Sequence, residues 1–173
     1  MRSSNGQGFT LVELMLVVVL MGITTMFGLS SYYRFMNDAR LNSGGKALAG
    51  WLDQMRRMAI QNSKTCTVQI NPASSTLELV TDPTLGNCDF QNPPRPFTFN
   101  LQEQVGQGEI VQLCARLMNP GEEFTPCSSA APGSTITVQY TPRGTTPDNA
   151  LIELRSAKQS HNRCIAVLSP LGL

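Results

Sequence analysis

The chain has 173 residues, with 13 Lys and Arg against 12 Asp and Glu, and only 14% of its residues are charged. Balanced charge argues against a protein coated by nucleic acid, and so few charges are unusual in a free cytosolic protein. The five cysteines all fall at or after Cys66 without a CxxC pair, and the single histidine is His161. A Cys/His zinc site lacks its ligand spacing, no metal or cofactor is expected, and the cysteines point to an oxidising compartment.

Residues 1–8 (MRSSNGQG) are polar, with Arg2 their one charge. From Phe9 to Leu29 the chain is apolar with few interruptions. Such a run spans about 30 Å as a helix, the thickness of a bilayer core. It is too long for the apolar region of a secretory signal, and no small-x-small site follows it. Gly8 instead precedes the run, where a cut leaves the membrane helix on the mature protein. Glu13 stands inside it. A charge there costs a few kcal/mol even on lenient insertion scales, so Glu13 is a functional candidate. The bland alternative is that Glu13 sits near the helix end and snorkels to the interface.

The run Gly8-Phe9-Thr10-Leu11-Val12-Glu13-Leu14 resembles the leader junction of type IV pilins and type II secretion pseudopilins. The resemblance implies that a prepilin peptidase cuts between Gly8 and Phe9 and that Phe9 is then N-methylated. It makes Glu13 the fifth mature residue, which in that family pairs with the N-terminal amine of a neighbouring subunit. An α-amino group is largely cationic near neutral pH, and opposite charges meeting in lipid relieve each other's desolvation. The implied partners are other pilin or pseudopilin subunits through the N-terminal helix, the peptidase, an inner-membrane assembly platform, and membrane lipid before assembly. Arg2 ahead of the run puts the N-terminus in the cytoplasm. The expected location is the bacterial inner membrane, single-pass with a periplasmic head, and then a pilus or pseudopilus.

Beyond Leu29 a helical pattern continues without proline. Leu41, Leu48, Leu52, Met55 and Ala59 recur at spacings of seven, four, three and four, one face of an amphipathic helix. Trp51 and Met58 widen this stripe, which is expected to pack the head onto its own helix. Gly22, Gly28 and Gly44-Gly45 weaken the helix locally or permit close packing. Asn62-Ser63 is the expected stop.

Seven short segments then read as strands: 66–70, 76–80, 97–101, 110–114, 135–140, 150–154 and 164–168. They are rich in β-branched residues and are separated by Pro, Gly and Asn turns. The fold class is therefore α+β, a long N-terminal helix packed on an antiparallel β-sheet head. The expected divisions are a leader at 1–8, a membrane half of the helix at 9–29, an amphipathic half at 30–62, and a head at 63–173. The closing run "TPRG", "ALIELRS" and "RCIAVLSPLG" is similar to the GspH/FimT branch of the family. DNA-receptor members of that branch carry basic residues after the terminal glycine, whereas this sequence stops at Gly172-Leu173.

Five cysteines allow fifteen choices of two pairs and one leftover. Short loops favour Cys66–Cys88 and Cys114–Cys127, leaving Cys164 as a small buried strand residue. A rival pairing joins Cys66 or Cys114 to Cys164. No catalytic constellation is visible: Asp82, Asp89, Glu122 and Glu123 lack partner spacing, and Ser160-His161 lacks a nucleophile elbow. The loop from Arg155 to Arg163, with Lys158 and His161, is the most basic part of the head. With Arg143 it defines a candidate phosphate-contacting rim. Glu153, the near-neutral net charge and the absence of an aromatic in the loop argue against DNA as a partner. The reading is a minor type IV pilin, a structural subunit and not an enzyme, with a type II secretion pseudopilin as second reading and a DNA receptor as third.

Overall fold

The computed structural model describes residues 10–80, 88, 97–106, 111–119, 121–123, 125, 127, 134–156 and 162–171. Helix α1 (Leu11–Asn62) runs unbroken for 52 residues. It starts at Thr10, whose hydroxyl accepts the Glu13 N–H at 3.3 Å. The Thr-x-x-Glu spacing is that of a capping box, so orphan donors of the first turn find partners locally. The end is equally specific. Ser63 takes a positive φ of 51°, Ser63 N–H bonds the Ile60 carbonyl and Lys64 N–H that of Ala59. This is a Schellman stop with serine in the place usually held by glycine.

The chain forms two compact units, 1–38 and 39–173. In the first unit the helix exposes apolar side chains in nearly every direction, Leu11, Val12, Leu14, Met15, Leu16 and Val17 among them. Its two threonines are satisfied internally: Thr24 Oγ1 donates to the Leu20 carbonyl at 3.0 Å and Thr25 Oγ1 to that of Met21 at 2.6 Å. Hydroxyls bonded to the preceding turn cost little in an apolar medium.

In the second unit the amphipathic stripe is buried as its period predicts: Leu41, Leu48, Trp51, Leu52, Met55 and Ala59 join one core cluster with the strands. Among the described residues there are seven strands, β1 (Cys66–Asn71), β2 (Thr76–Leu79), β3 (Thr98–Asn100), β4 (Val111–Leu117), β5 (Ile136–Tyr140), β6 (Ala150–Ser156) and β7 (Asn162–Val167). They divide into two antiparallel sheets, ordered β3-β2-β1-β5 and β4-β6-β7. The strand pattern shows the seven segments but not this division, because alternation says which residues face inward and not which strand is the neighbour.

A short helix α2 (Leu101–Val105) follows β3 where the sequence reading extends a strand to Leu101. Asn100 Oδ1 accepts the Gln102 N–H at 3.0 Å and starts the turn, and Gly106 at φ 87° ends it. Five residues are too few for a helical period to show in the sequence. Leu101 and Val105 face α1 so closely that a Cβ on Gly44 would stand 2.8 Å from Val105 Cγ2. Close approach of this helix turn is what Gly44 permits.

Candidate functional site

The N-terminal segment is the first candidate. The cleavage residues Gly8 and Phe9 lie outside the described residues. Glu13 is described, two residues into α1, with its backbone N–H on Thr10. The helix is long and apolar enough to cross a membrane. Beyond the apolar run come Tyr32, Tyr33 and Phe35, which the sequence reading passes over. They are 57%, 65% and 70% exposed, and the two tyrosine rings stand edge to face, 6.2 Å apart. Aromatics directly after an apolar run of membrane length are the signal that marks them.

The second candidate is the outer face of the β4-β6-β7 sheet. Disulfides join Cys66 to Cys88 and Cys114 to Cys127, and Cys164 is free. Contrary to the sequence expectation, Cys164 is exposed. The register explains this. Cys164 pairs with Glu153, which pairs with Cys114, so all three share the face opposite Ile152 and Leu154, which lie in the core. On edge strand β7 that face is only partly covered.

Glu153 is fully buried on this face. Its carboxylate accepts the Cys127 N–H at 2.7 Å, the Arg155 guanidinium at 3.3 Å and the Asn162 amide. Arg155 also donates to the Cys127 carbonyl at 3.0 Å. A buried carboxylate tolerates its burial only with such partners. Together they pin the Cys114–Cys127 loop onto β6. Arg116 ties down the same loop from β4, reaching Glu122 at 2.7 Å and the Thr125 carbonyl at 3.0 Å. The Asn119 N–H and then Arg116 hold the Glu122 carboxyl below its ordinary value. Partial burial and then the Glu153 charge hold the Cys164 thiol above its own. Burial likewise raises the Tyr140 phenol.

Of the four cations of the candidate phosphate-contacting rim, the three that are described are not gathered in one place. Arg155 is engaged with Glu153 and Cys127 on the outer face. Arg163 pairs with Leu154 on the opposite face, and its Cβ lies 3.9 Å from the position of a Cβ on Gly45. Arg143 is next in sequence to Gly144, whose carbonyl accepts a hydrogen bond from Arg56. Gly45 and Arg56 are about 16 Å apart along α1 at helical rise, so Arg143 and Arg163 belong to distant ends. Lys158 lies outside the described residues. Among the described residues no cluster of three or more His, Cys, Asp or Glu is placed to hold a metal.

A long N-terminal helix, apolar over its first half and followed by antiparallel sheets, is the class of protein this geometry defines. Residues 3–29 match the family model of the prokaryotic N-terminal methylation motif, so the chain carries the N-terminal motif of prepilin-type proteins. Among solved structures, the minor pseudopilin EpsH from the type 2 secretion system of Vibrio cholerae is similar at 14% identity. That match covers 75% of this chain and 90% of the other, with a TM-score of 0.48. Comparison with curated proteins finds no match.

Proposed function

We propose that the chain is a minor type IV pilin, a structural and assembly subunit at or near the tip of an envelope-spanning pilus. The carrying observation is the N-terminal methylation motif at residues 3–29 on a helix that continues into a disulfide-bonded β unit. In this reading the leader is removed between Gly8 and Phe9, Phe9 is methylated, and the helix waits in the inner membrane with the β unit in the periplasm. Two disulfides support the periplasmic side, since the cytosol keeps thiols reduced. Arg2 supports a cytoplasmic N-terminus. The engagement of Arg155 with the buried Glu153 carboxylate and the Cys127 carbonyl supports a structural role for the basic strand end over a DNA-binding one.

The test is co-expression of the full chain with a prepilin peptidase, followed by mass spectrometry of the membrane fraction and of sheared filaments. A mature chain beginning at methylated Phe9 in filaments is expected. A chain beginning elsewhere overturns the processing. A processed chain absent from filaments, whose deletion blocks release of exported proteins, assigns it to a secretion pseudopilus instead.

A further inference from the structure

We propose that Tyr32, Tyr33 and Phe35 form a collar at the boundary between hydrocarbon and phospholipid headgroups, and that this collar fixes how deep α1 sits in the membrane. The inference rests on the reading of α1 as membrane-inserted and adds where along the helix the bilayer ends. Three observations carry it.

The first is distance. Glu13 and Tyr33 are twenty residues apart on one unbroken helix, which is about 30 Å at helical rise and matches the hydrocarbon thickness of a bilayer. Thr24 and Thr25, in the middle of this stretch, are already bonded to helix carbonyls, and Ser30 and Ser31 come only in the turn just before Tyr33. The second is arrangement around the helix. At about 100° per residue, Tyr32, Tyr33 and Phe35 cover roughly 160° of the circumference, with Arg34 in the remainder. The arc is broader than the narrow seam of a strict two-helix coiled coil, and it sets all three rings at one level of the helix, within about one turn. The third is chemistry. Two of the three rings carry a hydroxyl on an apolar body, and Arg34 adds a cation at the level of lipid phosphates. All three aromatics are largely exposed.

A collar at one boundary places Glu13 at the other. The unassembled subunit then keeps Glu13 at the headgroup level, and the desolvation of its carboxylate is deferred until a partner charge is present. Depth is thus the property that the collar contributes.

The experiment uses the full chain in phosphatidylethanolamine and phosphatidylglycerol vesicles, carrying Tyr33→Trp and Trp51→Phe. Phospholipids brominated near the headgroup should quench the residue-33 tryptophan more than those brominated near the terminal methyl. A companion chain carries Leu16→Trp and Trp51→Phe, with and without Tyr32→Ser, Tyr33→Ser and Phe35→Ser. Loss of the collar should shift the depth at which this second reporter is quenched. Failure of the chain to float with vesicles would overturn the membrane reading and the collar together. Flotation with no quenching at residue 33, or with the deep lipid quenching it most, would overturn the collar alone. So would an unshifted Leu16→Trp reporter. Quenching at residue 33 that changes with the protein-to-lipid ratio would identify a second helix as the occupant and overturn the proposal.

Discussion

Arg56 Nε donates a hydrogen bond to the carbonyl oxygen of Gly144 at 2.8 Å, tying the last turns of α1 to the turn between β5 and β6. Gly144 has a φ of 75°, and a Cβ built on it would stand 2.7 Å from Ile60 Cδ1. Both a left-handed backbone and a close neighbour therefore exclude side chains here.

Gly144→Ala is expected to destabilise the β unit by roughly 1–3 kcal/mol, the range for a strained backbone position with local crowding. Arg56→Met should cost about 1 kcal/mol by leaving the carbonyl without its donor. Denaturant melts of the chain from Ala39 onward check both. Part of the alanine penalty should be recovered by Ile60→Ala, because Ile60 is half-exposed and its tip is the group in the way. Full stability of Gly144→Ala alone would show that the turn relaxes freely.

Glu153→Ala should be among the most damaging single changes in the β unit. It removes the acceptor for the Cys127 N–H, Arg155 and Asn162 at once and leaves a guanidinium without its charge partner. The expected loss is about 1–3 kcal/mol, the cost of leaving the buried Cys127 N–H without an acceptor, while Arg155 is partly exposed and keeps the Cys127 carbonyl. Glu153→Gln should lose less, because an amide oxygen still accepts one of the three bonds. Thermal melts of the two variants beside the parent give the order, and equal stability of all three would contradict it.

The helix and the strands were legible because their signals are local. An apolar run, a stripe at periods of three and four, and β-branched pairs between Pro and Gly turns each sit within a few residues. The loop-closing cysteine pairs are those the structure forms, since each joins ends already near in sequence. What did not show is what depends on strand neighbours. Cys164 looks like a core residue by type, but register puts it beside Glu153 on the outward face of an edge strand. Arg155 and Arg163 look like one basic loop, but β6 and β7 turn them to opposite faces. Glu153 looks like a stray acid opposing a basic loop and is instead the buried centre that Arg155 and Asn162 serve. Helix α2 is too short to have a period.

Cys164 should be the single residue labelled when unreduced protein is alkylated, in the native state as well as after denaturation, since it is exposed and the other four are bonded. Its reaction with maleimide should rise with pH along a curve displaced above that of an ordinary thiol, because partial burial and the Glu153 charge both disfavour the thiolate. The linkage has a definite sign. The folded chain holds this proton more tightly than the unfolded chain, so the contribution to stability is complete below the unfolded thiol value and is lost as pH rises through the folded one. Glu153→Gln should move the labelling curve back toward the ordinary value. Labelling of a second cysteine, or a curve displaced downward, would contradict this placement.

Glu13 has two possible duties that a single alanine substitution does not separate. It occupies the third position of a Thr-x-x-Glu start, where its carboxylate favours the positive end of the helix dipole. It is also the charge proposed to meet the N-terminal amine of the next subunit. Glu13→Gln keeps a residue that serves in a capping box and removes the charge. Thr10→Val keeps the charge and removes the hydroxyl that accepts the Glu13 N–H, at a cost of about 1 kcal/mol to the helix start. Charge pairing predicts that Glu13→Gln inserts into membranes normally and fails to enter filaments, while Thr10→Val assembles. Capping predicts the reverse order. Membrane and sheared-filament fractions of the two variants, quantified side by side, decide between them. We expect the glutamine variant to remain in the membrane fraction, because a few kcal/mol of relieved desolvation outweighs a frayed first turn. Filament incorporation of Glu13→Gln at the parental level would remove charge pairing as the assembly mechanism of this chain.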